Sequence, residues 1–171
     1  LDELKLRDNT LVLILGDNGT AKGVPSRFQG RDVTGGKGTT TEWGTHVPCI
    51  GNWPGHVASG KVCKDLIGAV DVLPTLCEAA GATVPAELKI DGRSFLPQLR
   101  GEKGNPREWL YSWYHPDGGA KARSEFAHDD TYKLYKDGRF FNVKKDDLET
   151  SPLAAGTLDD TAKAAKLKLE A

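Results

Sequence analysis

Asp17 and Asn18 stand side by side in a Gly16-Asp17-Asn18-Gly19 turn that directly follows the apolar run 11–15. A carboxylate beside an amide carbonyl supplies two hard oxygen donors for Ca²⁺ or Mg²⁺. The same dipeptide also forms Asx-type turns, in which both side chains bond the local backbone. Two donors are too few for a complete calcium shell, so a metal held here needs ligands from elsewhere. The second candidate is Lys37, set among glycines in Gly35-Gly36-Lys37-Gly38-Thr39-Thr40. A lysine on such a loop can bring a cation and free backbone N–H groups to an oxyanion, or it can be a solvated flexible loop. A nucleotide-binding P-loop is excluded, because that motif needs Gly where Arg31 stands and Ser or Thr where Gly38 stands.

Other reactive residues are scattered. His46, His56, His115 and His128 share no spacing that defines a site, and each reads as a surface or hydrogen-bonded histidine. Cys49, Cys63 and Cys77 are an odd set without a C-x-x-C pair, and a zinc tetrad of His46, Cys49, His56 and Cys63 matches no standard finger spacing. The three thiols are expected to be buried small apolar side chains. With 23 basic against 24 acidic residues, the chain offers no reason to expect nucleic acid as a partner. Its longest apolar run, five residues, is far too short to span a bilayer.

These residues need elements to position them. Residues 1–6 read as the last turns of a helix, and the absence of methionine points to a piece of a longer protein. The run 10–15 reads as a strand covered on both faces, as in the centre of an α/β sheet, with its polar turn where such sheets place their ligands. Residues 20–45 form a long glycine-rich loop, and 47–53 a short strand. A helix is expected over 71–80, capped by Asp71, stopped by Gly81 and apolar along Leu73, Leu76, Cys77 and Ala80. A short helical turn follows near 94–100. Strands then read at 109–114, 123–127, 132–135 and 139–143, the last two joined by an Asp137-Gly138 two-residue turn. Residues 157–171 form a closing helix with Lys163, Lys166 and Lys168 on a solvated face.

Taken in order, these pieces resemble the sulfatases of the alkaline-phosphatase-like superfamily, in their C-terminal half. The carriers are the strand with its Asp17-Asn18-Gly19 turn, and Gly35-Gly36-Lys37-Gly38-Thr39-Thr40-Thr41-Glu42 followed by Val47-Pro48 and Trp53-Pro54-Gly55. Asp71-Val72-Leu73-Pro74-Thr75-Leu76, Asp91-Gly92-Arg93-Ser94-Phe95-Leu96-Pro97 and the closing hairpin through Leu148-Glu149 complete the likeness over about 10–152. The resemblance implies that Asp17 and Asn18 are two ligands of a divalent cation, usually calcium. It implies that Lys37 offsets charge on the sulfate oxygens, while a hydrated formylglycine made from Cys or Ser attacks sulfur.

The motif for that nucleophile, C/S-x-P-x-R, is absent. Gly23-Val24-Pro25-Ser26-Arg27 imitates it, with glycine where the oxidisable residue belongs and on the wrong side of the Asp17-Asn18 turn. His46 stands where the family often has arginine, and neither it nor His115 is given a role. The expected architecture is α/β: residues 1–104 as the C-terminal part of a sulfatase-type α/β sandwich, and 105–171 as a small antiparallel sheet packed by a C-terminal helix. The expected activity of the parent is hydrolysis of sulfate esters of arenes or carbohydrates, with a sulfated small molecule or glycan as partner and the isolated chain inactive. The alternatives are a phosphoester or phosphonate hydrolase of the same superfamily, or a non-catalytic module for binding or assembly. Family habit implies a periplasmic or extracellular location. An apolar strand without its neighbours implies self-association, or association with an N-terminal half.

Overall fold

The computed structural model describes residues 1–116 and 123–170. The chain divides into two compact units, one built from 1–15 and 49–108, the other from 16–48 and 109–171.

The first unit contains strand β1 (Val12–Leu15) paired antiparallel with β4 (Cys49–Asn52), in register Val12 opposite Asn52. The expected burial of this strand on both faces is not met: Ile14, Leu15 and Ile50 are exposed. Among the described residues β4 is the only strand paired with β1, and the Leu99 side chain packs against Gly51 of that pair. Residues 1–6 are not assigned as a helix, yet they carry the bonds that close one. Leu6 N–H donates to Leu1 C=O and Lys5 N–H to Asp2 C=O, with Lys5 at φ 55°. That pair of bonds with a left-handed residue is the Schellman ending, here on a single turn.

Helix α2 (Val72–Ala79) forms as expected, but its inner face differs. Asp71 and Thr75, four apart, face inward with Phe95 and Leu96, whereas Leu73 and Leu76 are exposed. The Asp71 carboxylate does not cap the α2 amides. It accepts from Gly68 N–H at 2.8 Å and Arg93 N–H at 2.7 Å, and it binds the Arg107 guanidinium through both oxygens. Thr75 Oγ1 donates to Asp71 C=O and accepts from Phe95 N–H, which fixes the turn leading into α3 (Leu96–Leu99). The thiols also differ from expectation. Cys49 and Cys63 are exposed and Cys77 is half-buried, all three unpaired.

The second unit is a four-stranded antiparallel sheet in the order β5 (Leu110–Tyr114), β6 (Ser124–His128), β7 (Tyr132–Tyr135) and β8 (Phe140–Asn142). Helix α4 (Asp160–Glu170) lies on one face, with Ala162, Ala165 and Leu169 against Ala127, Tyr132, Leu134 and Phe140. Asp159 caps it by accepting Ala162 N–H at 2.8 Å. Ala171 lies outside the described residues. Lys168 is not simply solvated: it pairs with Asp129 at 2.7 Å and ties α4 to the β6–β7 turn. The other face carries Phe126, Tyr135, Phe141 and Val143. Every residue of β7 is buried, because side chains on both of its faces are covered. The Asp137-Gly138 turn is a three-residue loop rather than a two-residue one. Tyr135 C=O accepts Gly138 N–H, Tyr135 N–H reaches Arg139 C=O, and Gly138 sits at φ 90° as a bulge.

The same unit contains 16–48, where one exposed hairpin was not foreseen. Strands β2 (Pro25–Phe28) and β3 (Arg31–Thr34) pair across Gln29-Gly30, both at positive φ. Phe28 meets Trp43 edge-on at 5.7 Å, Arg31 lies over the Trp43 ring, and Arg31 pairs with Asp147. A single turn of helix, α1 (Glu42–Thr45), completes the segment. Gly23-Val24-Pro25-Ser26-Arg27 opens this solvent-facing hairpin.

Candidate functional site

The two candidate loops belong to one unit, and one backbone bond joins them beside the Asp17-Asn18-Gly19 turn, which is itself tied to α1. Gly19 N–H donates to Gly44 C=O at 3.1 Å, and Lys37 N–H donates to Thr20 C=O at 2.9 Å. Gly16 N–H reaches Pro48 C=O at 3.0 Å, closing the base of the Asp17-Asn18 turn. Gly36 is buried against Trp43: a Cβ there would stand 2.6 Å from the Trp43 carbonyl carbon and from its Cβ. Only glycine lets the lysine loop approach that closely.

Lys37 occupies the apex of a tight turn. Thr39 N–H donates to Gly36 C=O at 2.9 Å, and Gly38 has φ 81°. These are the marks of a type II turn with Lys37 at its second position, where glycine is favoured at the third. Thr39 Oγ1 donates to Gly36 C=O and meets Thr41 Oγ1 at 2.8 Å, so threonines brace both legs of the turn. Its side chain is exposed, as is that of Asp17, while Asn18 is half-buried.

Among the described residues none of these three side chains has a hydrogen-bond or ion-pair partner. The Asx-turn alternative for Asp17-Asn18 therefore lacks the bonds that define it. A carboxylate and an amide carbonyl with free lone pairs suit a hard divalent cation as part of its shell. Among the described residues no group of three His, Cys, Asp or Glu side chains could hold a metal ion by itself.

His46 lies nearby in sequence at the end of α1. Its Nδ1 is 3.2 Å from Glu42, and that hydrogen bond raises the imidazole above its ordinary value. His56 stacks on Trp53 at 4.2 Å between ring centres, outside this unit. His128 Nδ1 donates to Asp129 C=O at 3.1 Å, and burial pushes its ring down from the ordinary histidine value.

Sequence reasoning missed the polar cluster beneath the lysine turn. Lys133 is 1% exposed, on the sheet face opposite α4. Its ammonium donates to Glu149 at 2.8 Å and to Thr40 C=O, and lies 4.0 Å from the Phe126 ring centre. Tyr135 O–H donates to the second Glu149 oxygen and accepts from Thr40 Oγ1 at 2.8 Å. Burial pushes the Lys133 ammonium down from its ordinary value, and Glu149 opposes the shift. Burial and the Glu149 carboxylate push the Tyr135 hydroxyl far up, so it stays a donor at any physiological pH. In the sequence, 132–135 reads only as a strand; no local signal shows that the loop carrying Thr40 covers the face shared by Lys133 and Tyr135.

This chain shares its fold with solved sulfatases. A 2-O GAG sulfatase superposes with a TM-score of 0.65 at 29% identity, covering 94% of this chain and 34% of that one. Human arylsulfatase A is 37% identical over 128 residues, 74% of this chain and 24% of its own. Mouse steryl-sulfatase is 35% identical over 120 residues, 66% of this chain and 19% of its own. An antiparallel sheet closed by a terminal helix, joined to α/β-type elements, is thus the C-terminal portion of the sulfatase fold. The chain belongs to the family of N-sulphoglucosamine sulphohydrolase, C-terminal, whose pattern matches residues 37–168. It spans about a quarter or less of the curated relatives it matches. Among the described residues no helix is long and apolar enough to cross a membrane.

Proposed function

We propose that this chain supplies the oxyanion-binding lysine and part of the metal shell of an enzyme that hydrolyses sulfate esters. The observation that carries the reading is that Lys37 N–H bonds Thr20 C=O, next to the Asp17-Asn18-Gly19 turn, while the Lys37, Asp17 and Asn18 side chains have no partner among the described residues. In that reading Lys37, lifted on its type II turn, donates to a sulfate oxygen and offsets charge that grows as the ester bond breaks. Asp17 and Asn18 contribute two oxygen ligands, which fit calcium and leave most of its six to eight positions to other groups. A bound divalent cation supplies positive charge that polarises the ester. The family relationship to arylsulfatase A and the likeness to a glycosaminoglycan sulfatase favour an aryl or carbohydrate sulfate as substrate.

A formylglycine does not fit any residue here. Cys49, Cys63 and Cys77 are followed by Ile50, Lys64 and Glu78 without the x-P-x-R continuation, and Gly23 takes the nucleophile's place in the one look-alike. The nucleophile is therefore assigned to a region outside these 171 residues. The chain on its own is expected to show no turnover of 4-nitrocatechol sulfate with calcium present. Turnover above the buffer rate by the purified chain would overturn the reading. In an enzyme that combines this chain with a C/S-x-P-x-R region, sulfate esters are expected to be preferred. Faster hydrolysis of the matching phosphate ester would favour the phosphoester alternative.

A further inference from the structure

We propose that Lys133, Tyr135 and Glu149 are positioning residues that hold the Lys37 turn through Thr40; the inference rests on reading Lys37 as the sulfate-binding lysine. The four residues make a closed ring of hydrogen bonds. Thr40 O–H donates to the Tyr135 oxygen, Tyr135 O–H donates to Glu149, and Lys133 donates both to Glu149 and to Thr40 C=O. The ring grips Thr40 by side chain and backbone at once, three residues from Lys37 and one beyond the Thr39 that closes its turn.

The cost of this arrangement argues that it does more than fill space. Lys133 and Glu149 have side chains only 1% and 4% exposed, within a layer that otherwise carries Phe126, Phe141 and Val143. Taking an ion pair out of water is expensive, and an apolar set of equal volume often leaves a fold as stable or more so. Glu149 is also held at φ 55°, in the left-handed region that non-glycine residues seldom occupy. Its turn is fixed by Asp146, whose carboxylate accepts from Thr150 N–H and Ser151 N–H. An apolar layer could pack the sheet, but it could not hold the carbonyl and hydroxyl of Thr40. Such a grip sets where the apex of the next turn stands, and small misplacements of a charge-stabilising group are costly to rate.

Tyr135→Phe is the test, since it removes the hydroxyl and keeps the ring that packs tilted against Phe126. Thr40→Ser keeps the loop hydroxyl that meets Tyr135 and serves as the conservative comparison. In the purified chain, amide hydrogen exchange at Lys37 and Thr39 should quicken about five- to tenfold in Y135F, as expected for one lost hydrogen bond. The Ala165 amide in α4 should keep its protection, and T40S should stay near wild type. Unchanged Lys37 and Thr39 exchange, or equal quickening across the unit, would overturn the proposal. In the enzyme containing this chain, Y135F should lower kcat on 4-nitrocatechol sulfate about 10- to 100-fold. On a Lys37→Ala background it should have no further effect on kcat, because it acts through Lys37. Independent, multiplying losses would mark a general structural role and overturn the proposal. If K37A alone leaves kcat unchanged, the reading of Lys37 itself fails, and the exchange data still decide whether the ring holds the turn.

Discussion

Replacing Arg107 with methionine should loosen the first unit at pH 7 and do so less in acid. Asp71 is 2% exposed, and its carboxylate binds the guanidinium through both oxygens. Burial alone pushes the Asp71 carboxyl up, but the Arg107 guanidinium and the N–H groups of Arg93 and Gly68 outweigh it and hold the group below its ordinary value. In R107M the two N–H donors remain while the cation is gone. Removing one partner of a buried ion pair costs about 3–5 kcal/mol, because the other charge stays buried without compensation. Local opening should then rise by about 10²–10³-fold or more, up to the limit of the unit's own stability. Amide exchange at Ala80 and Ala82, which close the end of α2, reports this unit directly. The sign with pH follows from linkage. The wild-type contribution is complete above the ordinary carboxylate value and lost as pH falls through the lower folded value. In R107M the carboxyl is displaced upward and takes a proton on the way down, which relieves the buried charge. The gap between the two proteins should therefore narrow from pH 7 to pH 4. A loss below about 1 kcal/mol at pH 7 would show the pair to be no more than a surface contact. A gap that stays constant with pH would refute the assignment of the effect to Asp71.

Two further outcomes are expected. Gly36→Ala forces a Cβ to 2.6 Å from the Trp43 backbone, an overpacking that should cost about 1–3 kcal/mol in urea unfolding. Gly23→Ala, with nothing within 4 Å, should change stability by less than about 0.5 kcal/mol; equal losses in both would contradict the close-approach argument. Burial keeps His128 neutral while the unfolded ring protonates more readily, so stability of the second unit should fall as pH drops below about 6.5. The groups acting on it are Lys133, Glu42 and Asp129, and His128→Gln should flatten this part of the pH profile. An unchanged profile in H128Q would assign the acid sensitivity elsewhere.

Much of the secondary structure was legible in residue order. Apolar and aromatic runs located β1 and β4–β8, and Gly81 marked the end of α2. Errors came where long-range partners decide orientation. Leu73 and Leu76 have the spacing of a buried helix face, but Asp71 and Thr75 turn inward because Arg107, Arg93 and Phe95 meet them from distant sequence. The exposed hairpin of β2 and β3 has no apolar alternation to betray it, since Phe28 and Arg31 anchor it through Trp43 and Asp147. The lysine turn was visible as a glycine motif, whereas its support by Lys133, Tyr135 and Glu149 was not. A buried lysine inside a strand carries no local mark, and only the tertiary approach of Thr40 gives it a purpose.

Lys37 is the residue proposed to bind the sulfate group. That role is measured by kcat of an enzyme that combines this chain with a C/S-x-P-x-R region, with Lys37 changed to Ala and to Arg, on an aryl sulfate at saturating calcium. Loss of one preorganised charge-stabilising donor should lower kcat about 10²–10³-fold in K37A, with part of the rate kept in K37R. A K37A enzyme that turns over at the wild-type rate would remove Lys37 from sulfate binding.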